Sequence, residues 1–383
     1  MELLVRIAKF LVKKNIFLFI TGFLFVPLQI FAAGGQVLDS SFFPNSAELT
    51  TVNHFEFVGG NIFFVPQFTF KGTSHGQDGT AHARVYDPVA YVYSKYRITD
   101  KFVVSAHLIP SLYADVSWPA NSIVAHTSIL TDVLNYRGGI QVGYQATPDL
   151  SLGVGGNIER ISLQLSFLTN NLGQQIDKNA SYFPLYDLGL YYKLAPKTYM
   201  SLVYYSPVYG LGHGVSKAHN VINHNYVALN VDASVIYIGL KHNINDWWQI
   251  HGKVYFAKWD VAKNFLFYNT VSGDIIKPAY WRNVWTFLVN NQYTLSDKTL
   301  LDVEFSYETT PVSRVEYNYV GFPISAIINF NVAMSYKVYE NTYVQLKYSH
   351  SSFAPNTLVR YDGTHGTVSA NMNAAVLQGA YKF

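Results

Sequence analysis

Apolar and polar residues alternate along most of the chain after residue 50, and the stretch from Tyr293 to Tyr307 shows the pattern most plainly. Successive side chains of a strand point to opposite faces of a sheet, so this alternation predicts a strand that is apolar on one face and acidic on the other. The polar residues just before this strand predict a tight hairpin turn. The apolar positions are Leu301, Val303 and Phe305, and the polar ones are Asp302, Glu304 and Ser306.

The same unit of a short turn followed by a strand recurs along the chain. One polar residue marks each turn, and the six markers are 49, 48, 49, 51 and 44 positions apart. That period fits two strands, one short turn and one longer connection. Six short turns on one side of the sheet therefore predict fourteen antiparallel strands. The markers are Asp100, Asp149, Lys197, Asp246, Asp297 and Asn341.

Long polar stretches between the predicted strands are expected to be loops at the other end of the sheet. They are Lys71 to Arg84, Leu168 to Ala180, and Pro207 to Tyr226. Strands are also predicted at 227–241 and 248–267. In the fifth strand the apolar positions change parity near Ile158 to Arg160, which predicts a β-bulge there and turns Arg160 towards the inside of the sheet.

The amino terminus has the pattern of a secretory signal peptide. Four basic residues precede an apolar run from Ile16 to Phe31, and small residues follow. We expect residues 1–33 to be removed by cleavage near Ala33. The alternative, a single membrane-spanning helix, is less consistent with the length of the run and with Pro27.

Charge and composition narrow the class of protein. Without residues 1–33 the chain has 23 basic and 23 acidic residues, so no basic surface remains to bind nucleic acid. Aromatic residues make up 16% of the chain. Alternating aromatic strands behind a signal peptide are typical of outer-membrane barrels, since a closed barrel pairs every backbone polar group in lipid. A secreted β-sandwich or propeller is the alternative for an all-β chain.

Neither a metal site nor a cofactor is expected. Cysteine is absent from the sequence, and His213, His219 and His224 have no carboxylate among them and no helical spacing. Tryptophans near strand ends are predicted to form a girdle at the lipid–water boundary. They are Trp247, Trp248, Trp259, Trp281 and Trp285.

The segment before the first strand is predicted to be a short plug inside the barrel, at residues 34–50, with the barrel itself at 51–383. Pro44, Asn45 and Ala47 lie at its centre. For residues 34–41 a frayed arm outside the barrel is an equal alternative. In the third strand, Ile109-Pro110-Ser111 predicts a kink, because proline cannot donate a hydrogen bond to its neighbour.

The chain resembles the FadL family of outer-membrane transporters for long-chain fatty acids and aromatic hydrocarbons. The matching pieces occur in order along almost the whole chain after the signal peptide. They are Tyr191 to Lys197 with Tyr205 to Val208, Asp246-Trp247, Trp281 to Trp285, Tyr307 to Val312, and Tyr381-Lys382-Phe383. The final Phe383 resembles the signal that the outer-membrane assembly machinery reads.

The resemblance implies a fourteen-stranded transmembrane barrel in the bacterial outer membrane, with a plug at its amino terminus. It also implies uptake of hydrophobic molecules and their sideways release into membrane lipid at the kinked third strand. The chain departs from the family in its plug, which is short and has Pro44-Asn45-Ser46-Ala47 where the family has Asn-Pro-Ala.

Candidate ligand-binding residues follow from this transport hypothesis. A fatty-acid carboxylate would need a cation in the lumen, for which Arg160, Lys253 and Arg282 are the candidates. Apolar candidates are Phe42 and Phe43 in the plug and Leu168 and Leu172 in an external loop. The alternatives are a general diffusion porin, an adhesin and a barrel enzyme. No spacing of Ser, His and Asp singles out a catalytic set, so we expect no enzyme.

Overall fold

The structure, a computed structural model, describes residues 44–360 and 362–383 of the 383-residue chain. The expected signal peptide and the first part of the expected plug, through Phe43, lie outside the described residues. No described helix is long and apolar enough to cross a bilayer. Twenty strand segments and three short 3-10 helices make up the regular structure of these described residues.

Consecutive wall strands alternate in direction along the chain, and every pairing between the twenty strands is antiparallel. They are β1 (Phe55–Ser74), β2 (Gln77–Arg84), β3 (Asp87–Arg97), β4 (Phe102–Ser117), β5 (Leu130–Gln145), β6 (Leu150–Thr169), β7 (Gly173–Ala195), β8 (Thr198–Tyr205), β9 (Val208–Ala218), β10 (Val221–Asp232), β11 (Val235–Asn243), β12 (Trp248–Ala257), β13 (Asn264–Thr270), β14 (Gly273–Pro278), β15 (Val284–Ser296), β16 (Thr299–Glu308), β17 (Ile327–Tyr339), β18 (Thr342–Phe353), β19 (Asn356–Val359) and β20 (His365–Lys382). The 3-10 helices are η1 (Glu48–Thr51), η2 (Trp259–Val261) and η3 (Val315–Tyr317).

Fourteen of these strands form a closed antiparallel barrel, which confirms the predicted fold. In order around the wall they are β1, β3, β4, β5, β6, β7, β8, β11, β12, β15, β16, β17, β18 and β20. The last strand pairs with the first from Glu56 opposite Lys382 to Thr73 opposite His365, and this seam closes the barrel. The six short turns predicted from the sequence all lie at one end, which we call the short-turn end.

The other six segments extend the wall at the opposite end. β2 pairs with the outer part of β1, and β9 pairs with the outer part of β7 and with β10. All three stretches expected to be loops are therefore largely strand. They are Lys71 to Arg84, Pro207 to Tyr226, and Leu168 to Ala180, where β6 and β7 meet in a tight turn near Asn170. β2 and β9 bury small residues such as Ala81, Ala83 and Ser216, so they lack the alternation of large apolar residues from which strands were predicted.

Two of the predicted strands are also interrupted. Residues 227–241 divide into β10 and β11 at Ala233-Ser234, and only β11 belongs to the wall. Residues 248–267 leave the wall after Ala257, continue through η2 and end in β13. These breaks direct β10 and β13 to the upper part of the lumen.

The alternation within wall strands separates a lipid-facing surface from the lumen. On β16, Phe305 is 51% exposed, whereas Glu304 and Glu308 are 8% and 3% exposed, so the apolar face points outwards as predicted. On β6, pairing with β7 continues without a register shift from Leu150 to Thr169, so the expected bulge is absent. Arg160 consequently shares the outward face of exposed Val154 and Ile158. β6 extends beyond the apolar outer surface of the barrel, and its outward-facing residues become polar at Arg160.

The predicted tryptophan girdle is only partly correct. Trp247 and Trp285 are 55% and 45% exposed. Trp259 and Trp281 are buried, with ring centroids 5.1 Å apart in an edge-on contact. The interruption of the wall after Ala257 brings these two rings inside the barrel, which alternation along a continuous strand could not predict.

Candidate functional site

An apolar cavity with about 1120 Å³ of empty space lies in the upper half of the lumen, away from the short turns. Its wall combines inward positions of β5 and β6 with residues of β10 and of the hairpin β13–β14. Residues that define its apolar surface are Val133, Ile161, Leu163, Phe265, Phe267 and Trp281.

Few polar groups reach this cavity. Asn135 and Asn230 are buried in its wall, and Lys277 on β14 supplies a positive charge. The Lys277 ammonium lies 5.9 Å from the ring centre of Phe167 and 5.6 Å from that of Tyr319. Burial lowers the pKa of Lys277 to about 8, and the positive charge of Arg360 acts in the same direction. The cavity can therefore hold an apolar body with a polar or anionic end near Lys277.

A buried polar layer lies below the cavity. On both β5 and β6 it is two residues closer to the short-turn end than the nearest residues that line the cavity. Nε of Arg137 donates to Oε2 of Glu159 at 2.8 Å, and these side chains are 3% and 0% exposed. Ser111 also donates to Glu159, and the Arg137 guanidinium lies 4.8 Å from the ring centre of Tyr205. An apolar molecule would have to displace this charged layer to continue downwards, which is energetically costly.

Residues 44–51, the described part of the expected plug, lie against the inner wall below that layer. The carbonyl oxygen of Pro44 accepts a hydrogen bond from the Tyr205 hydroxyl at 2.5 Å. The Asn45 amide donates to the carbonyl of Leu190 at 3.1 Å, and Ala47 is fully buried. Arg97 of β3 donates to the carbonyls of Val52 and Asn53 and so fixes the end of the segment.

Three glycines in register make room for this plug. Gly143, Gly153 and Gly189 lie opposite one another on β5, β6 and β7. A Cβ atom at Gly153 would overlap the backbone of Ala47, and one at Gly189 would overlap the Asn45 side chain. The inner wall at this height is therefore shaped to the backbone of Asn45 to Leu49.

The barrel wall has a gap on the upper part of β4. β3 pairs with β4 only between Val92–Leu108 and Arg97–Val103, whereas β4 continues its pairing with β5 as far as Ser117. The register of β4 against β5 shifts between Pro110 and Leu112. Within the described chain, the edge of β4 that faces β3 consequently has no strand partner above Leu108.

Above the shift, β4 turns into the lumen. Tyr113 stacks on the inward-facing ring of Phe64 from β1, with centroids 4.4 Å apart. The Tyr136 hydroxyl of β5 donates to the carbonyl of Ala90 on β3 at 3.0 Å. Because β3 and β5 are not neighbours in the wall, this bond reaches across the gap. Leu112 connects the gap to the cavity, since it lines the cavity wall.

The other residues predicted from the sequence are not brought together, and their roles stay predictions. Lys253 points into the lumen, with its ammonium 5.2 Å from the ring centre of Tyr237. Arg282 is exposed and donates to the carbonyl of Thr310. None of Arg160, Leu168, Leu172, Lys253 and Arg282 lines the cavity. Phe42 and Phe43 lie outside the described residues.

No local pattern in the sequence indicated the residues that line the cavity. Lys277 was not singled out, and Trp281 was assigned to the lipid–water boundary instead. Their meeting with Val133 and Leu163 depends on the interruption of the wall after Ala257. The gap, in contrast, lies at Ile109 to Ser111, where proline predicted a kink.

Solved structures of low sequence identity share this fold. A FadL homologue from Pseudomonas aeruginosa aligns with a TM-score of 0.80 at 14% identity, over 92% of this chain and 96% of the other. The toluene transporter TodX of P. putida aligns with a TM-score of 0.69 at 16% identity, over 90% and 94% of the two chains. For the toluene transporter TbuX of Ralstonia pickettii the TM-score is 0.66 at 15% identity, over 90% and 93%.

A comparison with curated proteins finds no match. The sequence model of the outer membrane protein transport proteins, described as OMPP1/FadL/TodX, matches residues 32–383. With its closed fourteen-stranded barrel, the chain is a multi-pass protein of the bacterial outer membrane, and it belongs to the OMPP1/FadL/TodX family of outer membrane transport proteins.

Proposed function

We propose that this protein carries hydrophobic molecules, such as long-chain fatty acids or aromatic hydrocarbons, from the exterior into the outer membrane. The observation that carries the proposal is the apolar cavity of about 1120 Å³ in the outer half of the lumen. A barrel that only holds a membrane anchor or an adhesive loop has no need of such a cavity.

The arrangement below the cavity favours sideways release. The buried Arg137–Glu159 pair and the seated plug segment obstruct the route towards the periplasm. At the height of the cavity, the wall between β3 and β4 is unpaired above Leu108. A hydrophobic cargo gains nothing by crossing a charged layer to reach water, whereas a step through the gap transfers it to lipid.

Filling the cavity tests this function. Val133 is 8% exposed and lines the cavity, so Val133→Trp should reduce the rate of toluene or fatty-acid uptake by about tenfold or more through loss of space. The measurement is uptake of radiolabelled compound by cells that lack another transporter of this kind. Heat-dependent mobility in gels checks that the barrel has folded.

A matched control uses the same substitution on the lipid-facing surface. Val154 is 51% exposed on the outer face of β6, and Val154→Trp should leave uptake within twofold of the parent. Equal uptake by both folded variants and the parent would contradict transport through this cavity.

A general diffusion porin is the second candidate, and the polar inner face of β16 and β17 favours it. Asp302, Glu304 and Asn331 point into the lumen there, and the Asn331 amide donates to Glu304 at 2.7 Å. A porin would conduct small ions steadily in a planar bilayer and would admit sugars. The plugged transporter should instead show low conductance and exclude sugars.

Two partners follow from the same proposal. Membrane lipid receives the released cargo and surrounds the exposed apolar face of the wall. The assembly machinery would bind the last strand through its terminal Phe383, which is 53% exposed. The proposed function requires neither a cofactor nor catalysis.

A further inference from the structure

Three carboxyl groups line the gap beside β4. Asp87 lies on the inward face of β3, opposite Phe64 of β1. Asp115 and Asp132 lie opposite each other on β4 and β5. Asp115 is two residues from Tyr113 and lies on the same face of β4. Because Tyr113 stacks on Phe64, both side chains point from β4 towards β3 and into the gap. A cargo that passes between β3 and β4 must therefore pass these carboxyl groups.

Asp115 is buried with carboxyl groups as its neighbours. Its exposed fraction is 0%, and no nitrogen or hydroxyl donor in the described chain reaches either carboxyl oxygen. Asp132 and Asp87 act on Asp115 electrostatically, and the carboxyl groups of Asp115 and Asp132 are close enough to share a proton in a hydrogen bond. Arg160 and Lys178 act on Asp132 from the outer faces of β6 and β7. A buried carboxyl group that lacks a donor strongly favours a positively charged or hydrogen-bond-donating partner.

The cavity behind the gap has the opposite character. Lys277 approaches its apolar space from β14 and lines the cavity. Arg360 adds positive charge near Lys277. The carboxylates of Asp362, which pairs with Arg360, and Asp177 offset part of this charge. A carboxylate is thus attracted at the cavity and meets acidic groups at the gap. Any negative charge on these three neighbouring carboxyl groups repels a carboxylate and attracts an ammonium group.

We propose that the gap between β3 and β4 selects cargo by charge, so that uncharged and cationic hydrophobic molecules leave through it while carboxylates are retained in the cavity. This inference rests on the proposed release through the gap. It names the class of cargo: neutral hydrocarbons, alcohols and amines in preference to ionised fatty acids. Asp87, Asp115 and Asp132 are then specificity-determining residues of the exit, and Lys277 is the group that holds the retained carboxylate.

The test compares three probes with the same alkyl chain, namely decanol, decylamine and decanoate. Uptake is measured with radiolabelled probes in cells that lack another transporter of this kind. We expect the parent protein to take up decanol and decylamine at least about tenfold faster than decanoate, because like charges in a partly buried site repel strongly. Purified parent protein should nevertheless bind decanoate, as detected by quenching of Trp281 fluorescence beside the cavity.

The decisive variant replaces all three carboxylates, as Asp87→Asn, Asp115→Asn and Asp132→Asn. Its decanoate uptake should rise about tenfold relative to the parent, with decanol uptake within twofold. The single variant Asp115→Asn, which keeps the shape of the side chain, should shift the same ratio in the same direction and serves if the triple variant does not fold. Asp302→Asn, on the inward face of β16, is the matched control and should leave the ratio unchanged.

The outcomes separate the two proposals. If decanol enters but the decanol-to-decanoate ratio is near one in the parent, or is unaffected by the Asp→Asn variants, charge selection at the gap is wrong. If the parent takes up none of the three probes, the proposed transport function itself is wrong.

Discussion

At the scale of single residues, the lumen contains charges that an apolar passage would not be expected to hold. Arg137 and Glu159 form a 2.8 Å ion pair and are almost completely buried. Removing one partner of such a pair leaves the other charge without compensation, which costs far more than the pair itself contributes. The polar layer below the cavity is therefore stable only when both residues are present.

Glu159→Ala should lower the free energy of unfolding by about 3–5 kcal/mol, because it leaves Arg137 buried without its carboxylate. Urea unfolding in lipid vesicles, followed by tryptophan fluorescence, measures the change. The control is Asp149→Ala, whose partner Lys193 is 3.9 Å away at the exposed short-turn end. A loss of at most about 1 kcal/mol is expected there. Similar losses in the two variants would argue against a structural role for the buried pair.

Tyr136 makes one hydrogen bond across the gap between β3 and β4. Tyr136→Phe removes the hydrogen bond to the Ala90 carbonyl, which contributes about 0.5–1.5 kcal/mol net. If opening of the gap limits release, uptake of decanol should rise roughly two- to tenfold. Tyr182→Phe, on an outward residue that is 67% exposed, provides the control in the same uptake measurement. Unchanged or slower uptake by Tyr136→Phe would show that this bond does not hold the exit closed.

At the scale of elements, the plug and the wall fit each other through the row of Gly143, Gly153 and Gly189. Alternation along β5, β6 and β7 predicted the strands but not this match, since a glycine among small and polar residues is not conspicuous. The meaning of these glycines depends on a segment that is more than ninety residues away in the sequence. Short-range patterns cannot contain that information.

Gly153→Ala should unseat the plug, because the added methyl group overlaps the backbone of Ala47. The expected result is a higher single-channel conductance in planar bilayers and easier proteolysis of the amino-terminal segment. Gly156→Ala on the same strand meets no atom within 4 Å, so it should match the parent in both measurements. If the two variants behave alike, the glycine row is not what holds the plug.

At the scale of the whole molecule, the sequence period predicted the number of wall strands and the short-turn end correctly. The strand pattern around Asp297 repeats because every hairpin faces the same lipid on one side and the same lumen on the other. The upper half was harder to predict. Polar outward residues such as Arg160 mark where the wall leaves the membrane, and alternation alone does not distinguish that change from a bulge.

The cavity could not be predicted, because its lining comes from strands that have left the wall. Trp281 and Phe265 line the same cavity as Leu163, although they come from a part of the chain outside the fourteen wall strands. The gap was more accessible, since Pro110 marks a local interruption of backbone pairing. A site that depends on one backbone break is visible in sequence, whereas a site that depends on long-range packing is not.

The seam between the first and last strands has a consequence for biogenesis. The backbone groups of Phe55 and Phe383 exchange two hydrogen bonds at its base, each 2.8 Å long. β20 is the last of the described wall strands along the chain and pairs with β1, so the barrel cannot close before β20 has been synthesised. A nascent or prematurely terminated product would carry two unpaired edges, and such edges invite aggregation unless a chaperone shields them.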